Sequence, residues 1–280
     1  MRCVRGGEGE GAQGGTREEN AACRPDHPHP RCFAPSTSPA KRERCAWTEL
    51  GRACTGAGDE LLLRERAGCV ELRCNGWELM SNRAHHSETA LARLACEHLL
   101  ACEHLTDAQP RPPYAAPHLL IGGLGLGYTL RSALDCLPAS ASVTVAELLP
   151  EIIAWNHGPL APLTGDPLAD PRVTVACADI AALLRAAPPA RFDAILLDTD
   201  NGPDSVMLQG NAALYHPDTL RLAGGALRTA GILAVWSADR SMGFEHALHA
   251  AGFQWHAHDI PARGGPDDPL HTIYLARAAT

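Results

Sequence analysis

Short, unbroken runs of apolar residues alternate with helical patterns along the second half of the chain. Five runs have the β-favouring composition of parallel strands buried on both faces: His118–Ile121, Val143–Val145, Val173–Val175, Phe192–Leu197 and Ile232–Val235. The segments between them are long enough for crossover helices. Phe253–Trp255 and His271–Leu275 follow with no helix between them. The pattern therefore predicts an α/β fold whose mostly parallel sheet contains an antiparallel C-terminal strand.

A small antiparallel β unit is predicted upstream of this sheet. Glu60–Arg64 and Val70–Arg73 have the composition of short strands. Asn75-Gly76 is the two-residue signal for a type I′ hairpin turn into Trp77–Met80. Ser87 stands at the start of an amphipathic pattern, where we expect it to cap a helix.

Composition divides the chain into three parts. Residues 1–45 are rich in Gly, Pro, Arg, Glu and Ser, and they have almost no aliphatic side chains. Apolar burial would not offset the entropy lost on ordering such a segment, so we predict a disordered extension. Residues 46–113 are predicted to form the N-terminal β-hairpin unit and its helix, which ends in a proline-rich linker. Residues 114–280 are predicted to form the α/β domain.

The net charge narrows the range of partners. With 24 Lys and Arg against 32 Asp and Glu, the formal charge is −8, which argues against a nucleic-acid-binding surface and suits a cationic small substrate. No stretch has the roughly 18 consecutive apolar residues of a membrane span, and the first residues lack the apolar core of a secretory signal. We therefore expect a cytoplasmic protein that binds neither nucleic acid nor membrane.

The eleven cysteines do not have the spacing of a disulfide framework or of a zinc site. Their number is odd, and no C-x-x-C pair occurs. A zinc cluster formed by the cysteines and histidines within residues 23–45 is the less favoured interpretation. We expect reduced thiols and no bound metal.

Four glycines follow the first predicted strand of the α/β domain. Gly122, Gly123, Gly125 and Gly127 lie where the strand passes into a helix, and the missing Cβ atoms let the backbone approach a ligand. The same spacing also occurs in tight turns without a ligand and in nicotinamide dinucleotide sites. The loop alone leaves these alternatives open.

Carboxylates follow the next strands. Glu147 lies about 20 residues beyond the glycines, where a carboxylate can accept hydrogen bonds from ribose hydroxyls. Asp179 follows the third strand, where it could accept from an adenine amino group or cap the next helix. Asp198, Asp200 and Asp204 fall within seven residues after the fourth strand. These carboxylates repel one another unless a cation or hydrogen-bond donors lie between them. The alternative is an Asp- and Gly-rich turn in which they accept hydrogen bonds from their own backbone.

Together these motifs resemble those of spermidine and spermine synthases and their bacterial relatives. The resemblance covers more than half of the chain and rests on the glycine loop 122–127, Glu147, Ala178-Asp179, Asp193–Asp198, the glycines before the fifth strand, and the upstream segment Asn82–Glu88. It implies a Rossmann-like methyltransferase fold that binds an S-adenosyl group. Under this resemblance Glu147 binds the ribose, Asp179 binds the adenine and Asp198 faces the attacking amine.

The same resemblance implies a reaction and a set of partners. Decarboxylated S-adenosylmethionine or S-adenosylmethionine would be the co-substrate, a small amine would accept the aminopropyl group, and the chain would form a homodimer. Asp198 and Asp200 would be the catalytic residues. The residues implied on the substrate side are His85, His86, Glu88 and Asp204.

Departures from the family keep other functions open. The family has an Asp in the glycine loop that holds the amino group of the decarboxylated donor, whereas this loop contains only Gly and Leu. The family's substrate-side Gln is replaced near Leu79 or Met80. A methyltransferase that uses intact S-adenosylmethionine and a non-catalytic nucleoside-binding relative are therefore alternatives. A nicotinamide-dependent reductase is a further alternative, which the terminal pair of strands makes less favoured.

Overall fold

The structure is a computed structural model that describes residues 46–101, 116–199, 201–205 and 209–278. The predicted disordered extension 1–45, the proline-rich linker and the predicted boundary at residue 113 lie outside these ranges, as does Asp200. The described residues belong to one compact unit.

An antiparallel sheet of four strands comes first. Its strands are β1 (Thr48–Cys54), β2 (Glu60–Arg66), β3 (Cys69–Cys74) and β4 (Trp77–Ser81), and they lie side by side in this order. Asn75 and Gly76 have φ angles of 50° and 83°, the left-handed conformation that a type I′ turn requires. Strand β1 was not predicted from the sequence, because its partly exposed residues do not alternate regularly between apolar and polar.

Helix α1 (His86–Ala101) follows the small sheet. Its first residue precedes Ser87, so the prediction that Ser87 caps the helix is wrong. Ser87 lies in the first turn with 0% of its surface exposed, and its hydroxyl group faces inward. The helix buries an apolar stripe that includes Leu91 and Leu99, as its periodicity predicted.

The second sheet has seven strands. They are β5 (His118–Gly122), β6 (Ser142–Glu147), β7 (Val173–Cys177), β8 (Phe192–Leu197), β9 (Leu227–Ser237), β10 (Phe253–Pro261) and β11 (Leu270–Ala278). Their order is β10-β11-β9-β8-β5-β6-β7. Strand β11 is antiparallel to both of its neighbours, and the remaining pairs are parallel. The prediction of a mostly parallel sheet with an antiparallel C-terminal strand and a preceding small β unit is confirmed.

Further helices cover both faces of this sheet. They are α2 (Tyr128–Cys136), α3 (Pro150–His157), α4 (Ala161–Thr164), α5 (Ile180–Ala186), α6 (Pro217–Ala226) and α7 (Met242–Ala250), with 3₁₀ turns at Pro167–Ala169 and Gln209–Tyr215. Successive strand residues point to opposite faces. Leu119 and Ile121 pack with α1, α2 and the small sheet, whereas Leu120 packs with α5 and α6. Within the described ranges no helix has the length and apolar character to cross a bilayer.

Candidate functional site

A cavity of about 650 Å³, which includes space open to solvent, lies at the carboxyl ends of β5, β6, β7 and β8. This is the edge of a parallel sheet at which open α/β folds bind ligands. Its lining combines three carboxylates with apolar side chains from both sheets: Glu147, Asp179, Asp198, Leu61, Leu72, Met80, Leu148 and Ile180. This mixture of carboxylate and apolar surface suits a nucleoside.

Packing within the chain restricts two glycines of the loop. A Cβ atom on Gly122 would overlap the side chain of Ile180, and one on Gly123 would overlap the backbone oxygen of Asp198. Gly123 also has a φ angle of +89°. The first residue of α5 therefore restricts Gly122, and the close approach of the backbone after β8 restricts Gly123, whether or not a ligand is bound.

The other two glycines face different neighbours. Gly125 has a φ angle of +50°, and a Cβ atom there would lie 2.8 Å from Sδ of Met80. Gly127 precedes α2 with a φ angle of +88°, and its Cβ atom would lie 3.0 Å from Oδ1 of Asn156. Nδ2 of Asn156 donates a 2.9 Å hydrogen bond to the carbonyl oxygen of Gly125. Met80 of the small sheet thus covers the loop and closes one side of the cavity.

Glu147 ends β6 and is 6% exposed. Its carboxylate accepts 2.9 Å hydrogen bonds from the backbone N–H groups of Leu124 and Leu149. Burial raises the pKa of Glu147, and the backbone hydrogen bonds oppose this increase. The side chain therefore ties the glycine loop to the start of α3 while it lines the cavity. The predicted contact with ribose would add to this structural role.

Asp179 caps helix α5. Its Oδ1 atom accepts a 2.9 Å hydrogen bond from the backbone N–H of Ala181, so the capping interpretation is confirmed. The same side chain is about half exposed and lines the cavity. A contact with adenine is compatible with capping, because a carboxylate has two oxygen atoms.

Two smaller cavities of about 240 and 310 Å³ adjoin the first and share Met80, Glu88 and Asp198 in their linings. Oδ2 of Asp198 accepts a 2.6 Å hydrogen bond from the hydroxyl of Thr129. Burial raises the pKa of Asp198 to about 6, against the effect of this bond. Burial, followed by the charge of Asp198, raises the pKa of Glu88 to about 7. The two carboxyl groups therefore favour a shared proton or a bound cation between them.

Glu88 lies at the centre of a polar cluster. Its Oε2 atom accepts a 2.7 Å hydrogen bond from the hydroxyl of Ser87, and that hydroxyl lies 2.8 Å from Nδ1 of His271. Burial and the nearby charge of Glu88 raise the pKa of Tyr128 to about 12. The ring of His85 stacks on Tyr128 with centroids 4.0 Å apart. The cluster joins α1, α2 and β11 around one carboxyl group.

The residues predicted on the substrate side do not all meet at this cluster. Glu88 lines the two smaller cavities. His85, which stacks on Tyr128, is not among the residues that line the three cavities, and burial lowers its pKa. His86 and Asp204 are exposed, and neither is among the residues that line the three cavities. Asp200, predicted to be catalytic, lies outside the described residues.

Three residues of the site were not predicted from the sequence: Thr129, Ser87 and His271. Thr129 could have been found, because it lies in the first turn of the helix that follows the glycine loop. Ser87 and His271 could not, because they are 184 positions apart and only the fold brings them together. Trp236 is 8% exposed and lines the cavity beside Glu88. In the described part of the chain, no three His, Cys, Asp or Glu side chains converge as metal ligands would.

Comparison with known proteins gives matches by structure but not by sequence. No family model matches the chain, and no curated protein matches it. Spermidine synthase from Thermotoga maritima superimposes with a TM-score of 0.63 and 18% identity, over 82% of this chain and 73% of that one. A spermidine synthase in complex with the transition-state analogue AdoDATO gives a TM-score of 0.62 at 18% identity, over 82% and 72% of the two chains.

Human methyltransferase-like protein 13, solved with SAH, is also similar. Its TM-score is 0.51 at 19% identity, over 69% of this chain and 82% of that one. The chain has the Rossmann-like methyltransferase fold. The resemblance that the motifs indicated is thus confirmed at the level of this fold. Because the Rossmann-like methyltransferase fold supports several reactions, the chemistry has to be argued from the site.

Proposed function

We propose that the chain is an S-adenosyl-dependent transferase that acts on an amine, with transfer of an aminopropyl group as the first candidate reaction. The observation that carries this proposal is the pair of half-buried carboxyl groups of Glu88 and Asp198 beside the larger cavity. Two similar structures are spermidine synthases, one of them with AdoDATO, and a methyltransferase of the same fold was solved with SAH.

The larger cavity fits an adenosyl group. Glu147 and Asp179 supply carboxylates for the ribose and the adenine amino group, and Leu148 and Ile180 supply apolar surface for a purine. Asp198 lines this cavity and both smaller ones. It therefore stands at the boundary between the proposed donor and acceptor sites.

The paired carboxyl groups match the chemistry of an amine acceptor. An alkylammonium group has a pKa near 10, so it must lose a proton before its lone pair can attack. Glu88 and Asp198 attract the cation and accept that proton. When bound, the donor supplies an electrophilic carbon on a sulfonium, from which the C–S electron pair returns to sulfur as the C–N bond forms. Alignment of the attacking nitrogen with the electrophilic carbon of the donor supplies a further part of the rate enhancement.

Methyl transfer from intact S-adenosylmethionine is the second candidate. The observation in its favour is the glycine loop, in which Leu124 and Leu126 are 5% and 3% exposed and no carboxylate is present. This loop offers no side-chain acceptor for the terminal amino group of a decarboxylated donor. Glu88 lines the cavity that adjoins the loop and is the alternative acceptor for that group.

Calorimetry with S-adenosylmethionine, its decarboxylated form and methylthioadenosine tests the proposal and separates the two reactions. Preference for the decarboxylated donor supports aminopropyl transfer, and preference for the intact donor supports methyl transfer. Mass spectrometry of products formed with monoamines, diamines and triamines identifies the acceptor. If none of the three adenosyl compounds binds, the transferase proposal is wrong.

Replacement of the carboxyl group at the boundary tests its role directly. We expect Asp198→Asn to lower turnover by about 100-fold or more, because the amide cannot accept the amine proton. The matched control is Asp218→Asn, since Asp218 is exposed on α6 in an ion pair with Arg221. Equal turnover of the two variants, with both folded by circular dichroism, would place the proton acceptor elsewhere.

A further inference from the structure

Two short hydrogen bonds connect Glu88 to the opposite side of the polar cluster. The hydroxyl of Ser87 donates to Oε2 of Glu88 over 2.7 Å and lies 2.8 Å from Nδ1 of His271. Ser87 is fully buried, whereas His271 is partly exposed. The imidazole ring is held edge-on against Trp236, with centroids 4.8 Å apart. A continuous chain of hydrogen-bonding groups thus leads from the proposed acceptor site to a partly exposed imidazole.

Transfer of an alkyl group to an amine requires a route by which a proton leaves the site. A sulfonium donor and an alkylammonium acceptor together carry two positive charges, whereas a neutral thioether and the alkylated ammonium product carry one. One proton therefore leaves the site in each turnover, for methyl and for aminopropyl transfer alike. Glu88 is half-buried and paired with Asp198, so a proton left on it has to be passed on before the next cycle.

We propose that Ser87 and His271 relay this proton from Glu88 to solvent, a role that rests on the proposed function. When Glu88 is protonated, it donates to the Ser87 hydroxyl, which donates to Nδ1 of the imidazole. The proton shifts along these two bonds, and the imidazole releases its other proton from Nε2. The chain then has the opposite polarity, with Nδ1–H donating to Ser87 and Ser87 donating to the Glu88 carboxylate. The two states of the chain match the two protonation states of Glu88.

The surroundings of His271 suit a relay. Burial lowers its pKa, and the negative charge of Asp239, in the segment after β9, opposes this effect. The imidazole is therefore neutral near pH 7 and able to accept a proton. From α1, Glu88 acts on it through Ser87, and the residue opposite it on β10 is the uncharged Ile260. Asp239 is exposed, so the released proton passes to solvent near a carboxylate.

His271→Asn separates a relay from a purely structural role. The Asn amide can keep the hydrogen bond to Ser87 near the position of Nδ1, but it cannot pass a proton. We expect kcat at pH 7 to fall by about 10- to 100-fold, at or below the lower end of the effect of a positioned proton acceptor. KM for the amine and calorimetric affinity for the adenosyl donor should stay unchanged. Ser87→Ala interrupts the chain while leaving the imidazole in place, and it should lower kcat in the same way.

Chemical rescue completes the test. Added imidazole should restore part of the kcat of His271→Asn and should not change that of the wild type. The matched control is His249→Asn, because His249 is exposed on α7. If wild type transfers a group and both His271→Asn and Ser87→Ala keep its kcat and pH profile, the relay is refuted and the transferase survives. If wild type transfers nothing to any amine, the proposed function fails and the relay fails with it.

Discussion

Replacement of Glu88 by Gln should stabilise the protein at alkaline pH. The pKa of Glu88 is raised from 4.5 to about 7 in the folded chain, first by burial and then by the charge of Asp198. The folded state therefore binds more protons than the unfolded state between these pH values. The contribution of Glu88 to the free energy of unfolding is fully present below pH 4.5 and is lost as the pH rises through the folded pKa of about 7. Glu88→Gln removes the buried charge that causes this loss.

The size of the effect follows from the pKa difference. A difference of one in pKa corresponds to about 1.4 kcal/mol, so the rise of the Glu88 pKa from 4.5 to about 7 corresponds to roughly 3 kcal/mol. Glu88→Gln should match the wild type near pH 4.5 and exceed its unfolding free energy by up to about 3 kcal/mol at pH 8. The Gln carbonyl oxygen can still accept the hydrogen bond of Ser87, so little else is lost.

Urea denaturation at several pH values between 4.5 and 8 measures this difference. Glu97→Gln is the matched control, because Glu97 lies on the same helix and its exposed side chain pairs with Arg93. The control should differ from wild type by nearly the same amount throughout this range. If the stability difference between Glu88→Gln and wild type does not change with pH, ionisation of Glu88 beside Asp198 does not destabilise the folded protein, and the argument is refuted.

Two further predictions concern the larger cavity and its loop. Glu147→Ala should weaken the binding of S-adenosylhomocysteine by about 1.5–3 kcal/mol, as expected for lost charge-assisted hydrogen bonds; unchanged affinity by calorimetry would place the ribose elsewhere. Gly123→Ala should lower the free energy of unfolding by at least about 2 kcal/mol, because the new Cβ atom adds overlap with Asp198 to the strain of a positive φ angle. Gly252→Ala, with a φ angle of +84° and no atom within 4 Å of its Cβ position, should lose only about 1 kcal/mol in the same denaturation experiment.

The strands of the large sheet could be predicted because they are buried on both faces. Such strands consist of unbroken apolar runs, as in Phe192–Leu197, which is buried at every position. Strand β1 could not be found in this way, since its exposed residues lack a regular alternation. The predicted start of α1 was too late in the sequence, because Ser87 has the chemistry of a helix cap. In the structure its hydroxyl contacts Glu88 and His271 instead.

The sequence by itself determined the layered fold and the edge at which the carboxylates gather, because both follow from local periodicity and from the common direction of parallel strands. Glu147, Asp179 and Asp198 line one cavity for that reason. Only the tertiary structure decided which carboxyl groups interact and what balances their charge. Glu88 meets Asp198 because α1 packs on one face of the sheet, and His271 reaches Ser87 from the far end of the chain. Contacts between residues so distant in sequence depend on how helices and strands pack, which no local pattern encodes.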